Sequence, residues 1–249
     1  MNSKLSIVMA HYNRFPLLYN TLQSIYDKHA HQDVQTIVVD DGSIKIEGKE
    51  KIFKFPITYI QLPEKKWYKN PVIPYNVGIE YSESDIVMIQ NPECYHFDDV
   101  VTHTLENLKP NEYYSYSCYS LPENKSPEDI KSKNDFVMKT SESNGAEGWY
   151  NHSVYRPKGF HFCCSLHRST LKTINNFSRE YAWGHWFDDD DFILKVKSLK
   201  NINSSIIDDH SVLHQYHYNK NNTYNTVDWA LVYKNKNIFD SKNQIAQLS

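Results

Sequence analysis

Four carboxylates stand in a row at Asp188-Asp189-Asp190-Asp191, directly after the aromatic run Tyr181-Ala182-Trp183-Gly184-His185-Trp186-Phe187. Neighbouring like charges repel, so such a row needs a compensating field. A helix N-terminus supplies one, because its free N–H groups and positive dipole end favour each carboxylate by about 0.3–1 kcal/mol. The next residues, Phe192-Ile193-Leu194-Lys195-Val196-Lys197-Ser198-Leu199, repeat apolar side chains at helical spacing. That pattern predicts a helix whose first turn is the acidic row. Side chains on one turn fan out by about 100° per residue, so one or two of the carboxylates can face a cleft beneath Trp183 and Trp186. A carboxylate beside an aromatic wall suits a general base acting on a sugar hydroxyl. The plain alternative is an acidic helix cap facing solvent.

Other polar clusters share a placement: each ends a short apolar run of buried-strand type. Leu5–Ala10 leads to His11-Tyr12-Asn13-Arg14, Thr36–Val39 to Asp40-Asp41-Gly42-Ser43, and Asp85–Ile89 to Gln90-Asn91-Pro92-Glu93. Between the first two, Pro16 opens a helical pattern with Leu18, Leu22 and Ile25 on one face. Strand, helix, strand with apolar strands predicts a parallel unit, and ligands collect at the carboxyl ends of such strands. A third strand is expected at Ile57–Ile60, and a helix opened by Pro74 runs to Tyr81. A further helix runs from Asp98-Asp99 to Leu108, and a strand spans Tyr113–Cys118. A strand at Phe160–Leu166, a helix at Arg168–Ile174 and a strand at Ser205–Ile207 flank the acidic helix. His210, His214 and His217 follow, and an amphipathic helix spans Val227 to Phe239. Residues 122–150 carry no clear pattern and are expected to form a mobile excursion over the cleft. Lys65-Lys66-Trp67-Tyr68-Lys69-Asn70 is a basic, aromatic loop able to meet a phosphate.

The 249 residues suffice for one large domain or two small ones, and 40% are hydrophobic, 14% aromatic. A net charge of −3 argues against a general nucleic-acid binder. No apolar run approaches the length of a membrane span, and the N-terminus lacks the apolar core of a signal peptide. Cys94, Cys118, Cys163 and Cys164 lack zinc-ligand spacing and read as reduced thiols. The expected location is cytoplasmic, with peripheral membrane association left open.

Taken in order, the motifs resemble those of the GT-A glycosyltransferases, specifically the inverting family 2. Ala10-His11-Tyr12-Asn13-Arg14 resembles the segment after that family's first strand, and Val39-Asp40-Asp41-Gly42-Ser43 the end of its second. Asn76-Val77-Gly78-Ile79 is similar to its Asn-x-Gly-Ile helix start. Trp183-Gly184-His185-Trp186-Phe187-Asp188-Asp189 resembles a Trp-Gly-x-Gly-Gly-Glu-Asp segment shared with inverting galactosyltransferases. The likeness covers residues 4–110 well and 160–217 in outline. Two departures stand out. Asn91-Pro92-Glu93 replaces the family's Asp-x-Asp, and Trp186-Phe187 replaces Gly-Gly.

The resemblance implies an α/β GT-A fold with a mostly parallel sheet and helices on both faces. Residues 1–110 would form a nucleotide-sugar-binding half and residues 111–249 an acceptor-binding, catalytic half. The donor, a UDP-sugar by expectation, would meet His11, Tyr12, Asn13, Arg14, Asp41, Asn76 and Asn91. Glu93, His214 and His217 would hold Mn²⁺ or Mg²⁺, with imidazole favouring Mn²⁺. Asp189, or failing it Asp188, would be the general base, with Trp183, His185 and Trp186 stacking on a glycan, glycolipid or protein-linked acceptor. A metal-independent enzyme using Lys65, Lys66 or a histidine is the alternative within transferases. An inactive carbohydrate-binding or partner module of the same fold is the alternative outside them.

Overall fold

The computed structural model describes residues 4–29, 34–143, 145–217 and 227–248. Strand β1 (Leu5–His11) is buried along its whole length, which is why it reads as an unbroken apolar run. Helix α1 (Phe15–His29), β2 (Val34–Asp40), the short α2 (Lys49–Ile52) and β3 (Ile57–Gln61) follow. Next come α3 (Val72–Glu80), β4 (Ile86–Gln90), β5 (Cys94–His96), α4 (Val100–Asn107) and β6 (Glu112–Ser120). After two 3₁₀ turns the chain forms β7 (Gly148–Asn151), β8 (Cys163–His167), α5 (Arg168–Thr173), α6 (Asp188–Ser198), β9 (Asn203–His214) and α7 (Trp229–Leu248).

Among the described residues these strands make one nine-stranded sheet, ordered β3-β2-β1-β4-β8-β6-β9-β5, with β7 paired to β6. β3, β2, β1 and β4 are mutually parallel. β8 then runs antiparallel to both β4 and β6, while β6 and β9 are parallel. The sheet is therefore mixed, with β5, β7 and β8 opposed to the rest. The connections leave β1 toward β2 on one side while β4 lies on the other. That reversal opens a crevice at the carboxyl ends of β1 and β4.

Alternation along β1 feeds two cores. Val8 and Ala10 join Val39, Val87, Ile89 and Phe192 on one face. Leu5, Ile7 and Met9 join Leu18, Leu22, Val38 and Met88 on the other. Gly78 lets α3 press onto the sheet, since a Cβ there would lie 2.4 Å from Val8 Cγ1. The segment 122–150 departs from the sequence expectation. It has its own small core, in which Ile130, Phe136 and Trp149 pack on Tyr119, Leu121 and Leu213. Capping boxes at Ser126/Asp129 and Ser132/Asp135 fix its 3₁₀ turns. Its polar sequence hid this because only every few residues turn inward. Among its described residues, Tyr150 alone lines the cleft.

Candidate functional site

A cleft of about 780 Å³ opens at the carboxyl ends of β1, β2 and β4. Helix α6 points its N-terminus into it. The helix begins at Asp188, so the acidic row is its first turn. The two residues before it, Trp186 and Phe187, hold left-handed φ values of 63° and 65°. Glycine adopts that conformation without penalty, and other L-residues pay roughly 1–2 kcal/mol each for it. The chain thus keeps a backbone shape suited to glycine at positions where it has two bulky aromatics. Gly184 is required for another reason: a Cβ there would lie 2.2 Å from Asn235 Oδ1 of α7. Asn235 Nδ2 in turn donates to the carbonyls of Tyr181 and Trp186, both at 3.0 Å, which clamps the turn.

The four carboxylates diverge sharply in environment. Asp188 is buried and accepts a 2.9 Å hydrogen bond from Asn70 Nδ2. Burial, then the neighbouring Asp189 charge, pushes its carboxyl up to about 6. Asp189 keeps its side chain 38% exposed and lies 2.7 Å from His161 Nδ1. Burial alone would lower His161, but Asp189 outweighs it and raises the imidazole above its ordinary value. Asp190 also lines the cleft, and burial followed by Asp189 raises it. Asp191 turns away into the protein, where it accepts from Ser178 Oγ at 2.6 Å, Tyr181 OH at 3.2 Å and Lys242 Nζ at 2.8 Å.

On the donor side, Tyr12 stands half exposed at the mouth, with Lys66 Nζ 4.4 Å from its ring centroid. Lys66 and Tyr68 OH (2.5 Å) both bond the Asp41 carboxylate. Gly42 makes the turn possible, as its left-handed φ of 73° and the Pro63 carbonyl leave no room for a side chain. His11 lines the cleft but is buried, and burial lowers it to about 4 despite Asp40, so it stays neutral. Asn91 faces the cleft and accepts from Tyr75 OH at 3.0 Å.

Two expected donor contacts lie elsewhere. Asn13 adopts φ 55° and its side chain accepts from the Ile44 and Lys45 amides, bracing the β2 turn. Asn76 is buried and bonds both backbone groups of Phe177, at 2.9 and 3.0 Å, outside the cleft lining. Of the aromatics, Trp186 and His185 line the cleft. Trp183 is exposed and not part of that lining; it lies 5.1 Å from Trp67, with Lys234 5.7 Å above its ring.

Glu93 lies buried behind Arg14, whose Nη1 sits 2.8 Å from both carboxylate oxygens. His214 Nε2 and His217 Nε2 each lie 3.3 Å from Glu93 Oε1. The three residues' ligand atoms fall within 4.8 Å of one another, the spacing a metal ion needs. Burial would raise the Glu93 carboxyl, but Arg14 and then the two histidines hold it well below the usual range. His217 is lowered by burial, which preserves the neutral imidazole that a metal ligates. One carboxylate and two imidazoles fit a first-row divalent ion such as Mn²⁺. The Arg14 guanidinium competes for the same oxygens.

Sequence reasoning missed Asn70, Tyr75, His161, Lys66 as the partner of Asp41, and Asn235. His161 sits in a run that reads only as a strand, and Asn70 ends a loop that reads as solvated. Each reaches its partner across long sequence separation, so no local pattern marks it.

The fold and cleft define a GT-A-type glycosyltransferase domain, the class that takes sugars from nucleotide donors. The chain belongs to glycosyl transferase family 2, which matches it over residues 6–176. No curated protein sequence matches it. Among solved structures it is similar to S. aureus TarS 1-349 in complex with UDP-GlcNAc, at 14% identity and a TM-score of 0.62, over 89% of this chain and 61% of that one. A second crystal structure of S. aureus TarS 1-349 gives 16% identity and a TM-score of 0.59, over 85% and 60%. The mannosyltransferase PcManGT from Pyrobaculum calidifontis, in complex with GDP-Man and Mn²⁺, gives 12% identity and 0.55, over 86% and 57%. The chain spans about 60% of the length of these structures. No helix among the described residues is long and apolar enough to cross a membrane.

Proposed function

We propose that this chain moves a sugar from a nucleotide-diphosphate sugar, a UDP-sugar by preference, to an acceptor hydroxyl with inversion. The observation that carries this is the sharing of one cleft by Asp189 on α6 with Tyr12, Arg14 and Asp41 at the ends of β1 and β2. Tyr12 would stack on the base, and Asp41, with Lys66, would bond base or ribose. Arg14 and Lys66 would face the diphosphate as it gains charge. Asp189, exposed to the cleft and beside His161, would take the acceptor proton as its oxygen attacks the anomeric carbon. Such attack from the side opposite the leaving group inverts that centre. Trp186 and His185, with the exposed Trp183 three residues before Trp186, would pack against the acceptor sugar. In this scheme residues 1–110 supply the donor half and 111–249 the acceptor half. The UDP-GlcNAc complex of TarS, a protein of the same fold, supports the choice of UDP.

Glu93, His214 and His217 would hold a divalent ion, Mn²⁺ before Mg²⁺. When bound, it would neutralise the departing diphosphate. A second reading rests on Arg14: its guanidinium already satisfies both Glu93 oxygens and can supply the positive charge itself. UDP release from a panel of UDP-sugars, measured with EDTA and then with added Mn²⁺, tests both. Activity lost in EDTA and restored by Mn²⁺ supports the metal-assisted enzyme. Full activity in EDTA moves the charge to Arg14. UDP binding without turnover on any donor would leave a carbohydrate-binding module.

A further inference from the structure

His161 has a position that the transfer chemistry described above does not use. It enters β8 from the loop after Gly159, and its side chain is 4% exposed. Three aromatic rings enclose it edge-on: Tyr75 of α3 at 5.3 Å, Phe177 at 4.9 Å and Phe192 of α6 at 5.8 Å. A polar ring in such a cage is costly unless it is hydrogen-bonded. Its Nδ1 lies 2.7 Å from Asp189 Oδ1, an ion-pair contact off the line of an ideal hydrogen bond. The cage fixes the ring plane, so the ring fixes the carboxylate.

We propose that His161 is the positioning residue of the general base: Nδ1–H holds one oxygen of Asp189 and turns the other toward the acceptor hydroxyl. The inference rests on the reading of Asp189 as the base. It also assigns a division of labour within the acidic turn. Asn70 holds the buried Asp188, which also lines the cleft, while His161 holds the more exposed Asp189. The groups facing this pair are Asp188 and Asp190 on α6, Tyr75 on α3, Tyr113 on β6 and Cys164 on β8. Lys158 and Arg156 act on Asp190 from the loop before β8. Among these, the imidazolium is the cation in direct contact with Asp189. Its charge also lowers Asp188, so a neutral replacement should move the acid limb of the rate profile to higher pH.

The test compares His161→Phe, which keeps the ring in its cage but removes the donor, with His161→Asn, which restores an N–H near the Nδ1 position. Asp189→Asn and the double variant His161→Phe/Asp189→Asn run beside them. Transfer kcat should fall about 10²-fold in His161→Phe, the scale of a misplaced catalytic group. UDP affinity should hold. His161→Asn should recover most of kcat, with its acid limb shifted upward, and the double variant should be no slower than Asp189→Asn. If Asp189→Asn abolishes transfer while His161→Phe keeps wild-type kcat, the positioning role is overturned. It is equally overturned if the two losses multiply in the double variant. If Asp189→Asn itself transfers normally, the assignment of the base fails first and takes this inference with it.

Discussion

Four neighbouring carboxylates of one residue type have four fates, set by the direction each takes off the helix. Asp188, Asp189 and Asp190 all line the cleft, Asp188 buried and tied to Asn70, Asp189 the partner of His161, while Asp191 turns into the seam with α7. Asp189→Asn keeps the shape but cannot accept a proton, so transfer should drop by about 10²–10⁴-fold. UDP affinity, measured calorimetrically, should be unchanged because the donor contacts lie on other strands. Unchanged transfer would move the base to another residue. Asp191→Ala should act in the opposite way. From sequence alone Asp191 is expected to contribute only a dipole term, but its side chain is 2% exposed and pairs with Lys242 and, at 3.7 Å, Lys195. Removing one member of a buried pair costs 3–5 kcal/mol. Both lysines retain some water contact, so about 3 kcal/mol is expected, read from denaturant midpoints with little change in UDP affinity. A loss below about 1 kcal/mol would show that the pair is solvated in practice.

At the level of elements, the acidic turn owes its aim to the chain on either side of it. The left-handed pair Trp186-Phe187 turns α6 toward the cleft, and α7 locks that turn through Asn235 and the contact of Phe239 with Phe187, ring centroids 5.8 Å apart. Trp186→Gly separates the backbone role from the aromatic one. Glycine relieves roughly 1–2 kcal/mol of left-handed strain but gains unfolded-state entropy. Melting temperature should therefore hold or rise slightly, while acceptor KM rises as the half-exposed ring is lost. A marked fall in melting temperature would mean that Trp186 is a packing residue instead. β1, β2, β4 and α6 were legible in the sequence for one reason: strands buried on both faces and helices buried on one leave strong apolar patterns. β5 has three residues, and β7 is a four-residue Gly-Trp-Tyr-Asn strand; neither is long enough to show a period. α7 runs on to Leu248, past the expected end near Phe239, because its later turns hold no clear apolar stripe. At the site, Glu93, His214 and His217 could be grouped through the family resemblance, and the structure brings them together. Arg14 on Glu93 and His161 on Asp189 could not, since those pairs join separate strands and helices.

Across the whole molecule, many histidines are buried and held neutral, and this fixes how stability should depend on pH. Burial lowers His11 to about 4 and also depresses His29, His96, His103, His152 and His217. Between pH 6.5 and 4 the unfolded chain takes up a proton at His11 that the folded chain refuses. Stability therefore falls as pH falls through that window, by roughly 3 kcal/mol from His11 alone at 1.36 kcal/mol per unit. Asp188 works against it. With its carboxyl pushed up to about 6, the folded state binds more protons than the unfolded one from about pH 6 down to its ordinary value near 4. That opposes His11 by a similar amount. His161, raised above its ordinary value, adds stability below about pH 6.5 that is lost as pH rises through its folded value. Asp190, raised by burial and then by Asp189, acts in the same sense as Asp188. The five other depressed histidines act with His11, and Glu93, held well below its ordinary value, adds a further loss below about pH 4.5. Melting temperature should drop steadily from pH 7 to 4.5. His11→Phe, which keeps a ring against Phe15 at 4.6 Å, should flatten the slope. A melting temperature that stays level or climbs on acidification would show that Asp188 and His161 outweigh the histidines, and that the acidic turn governs the acid response of the fold.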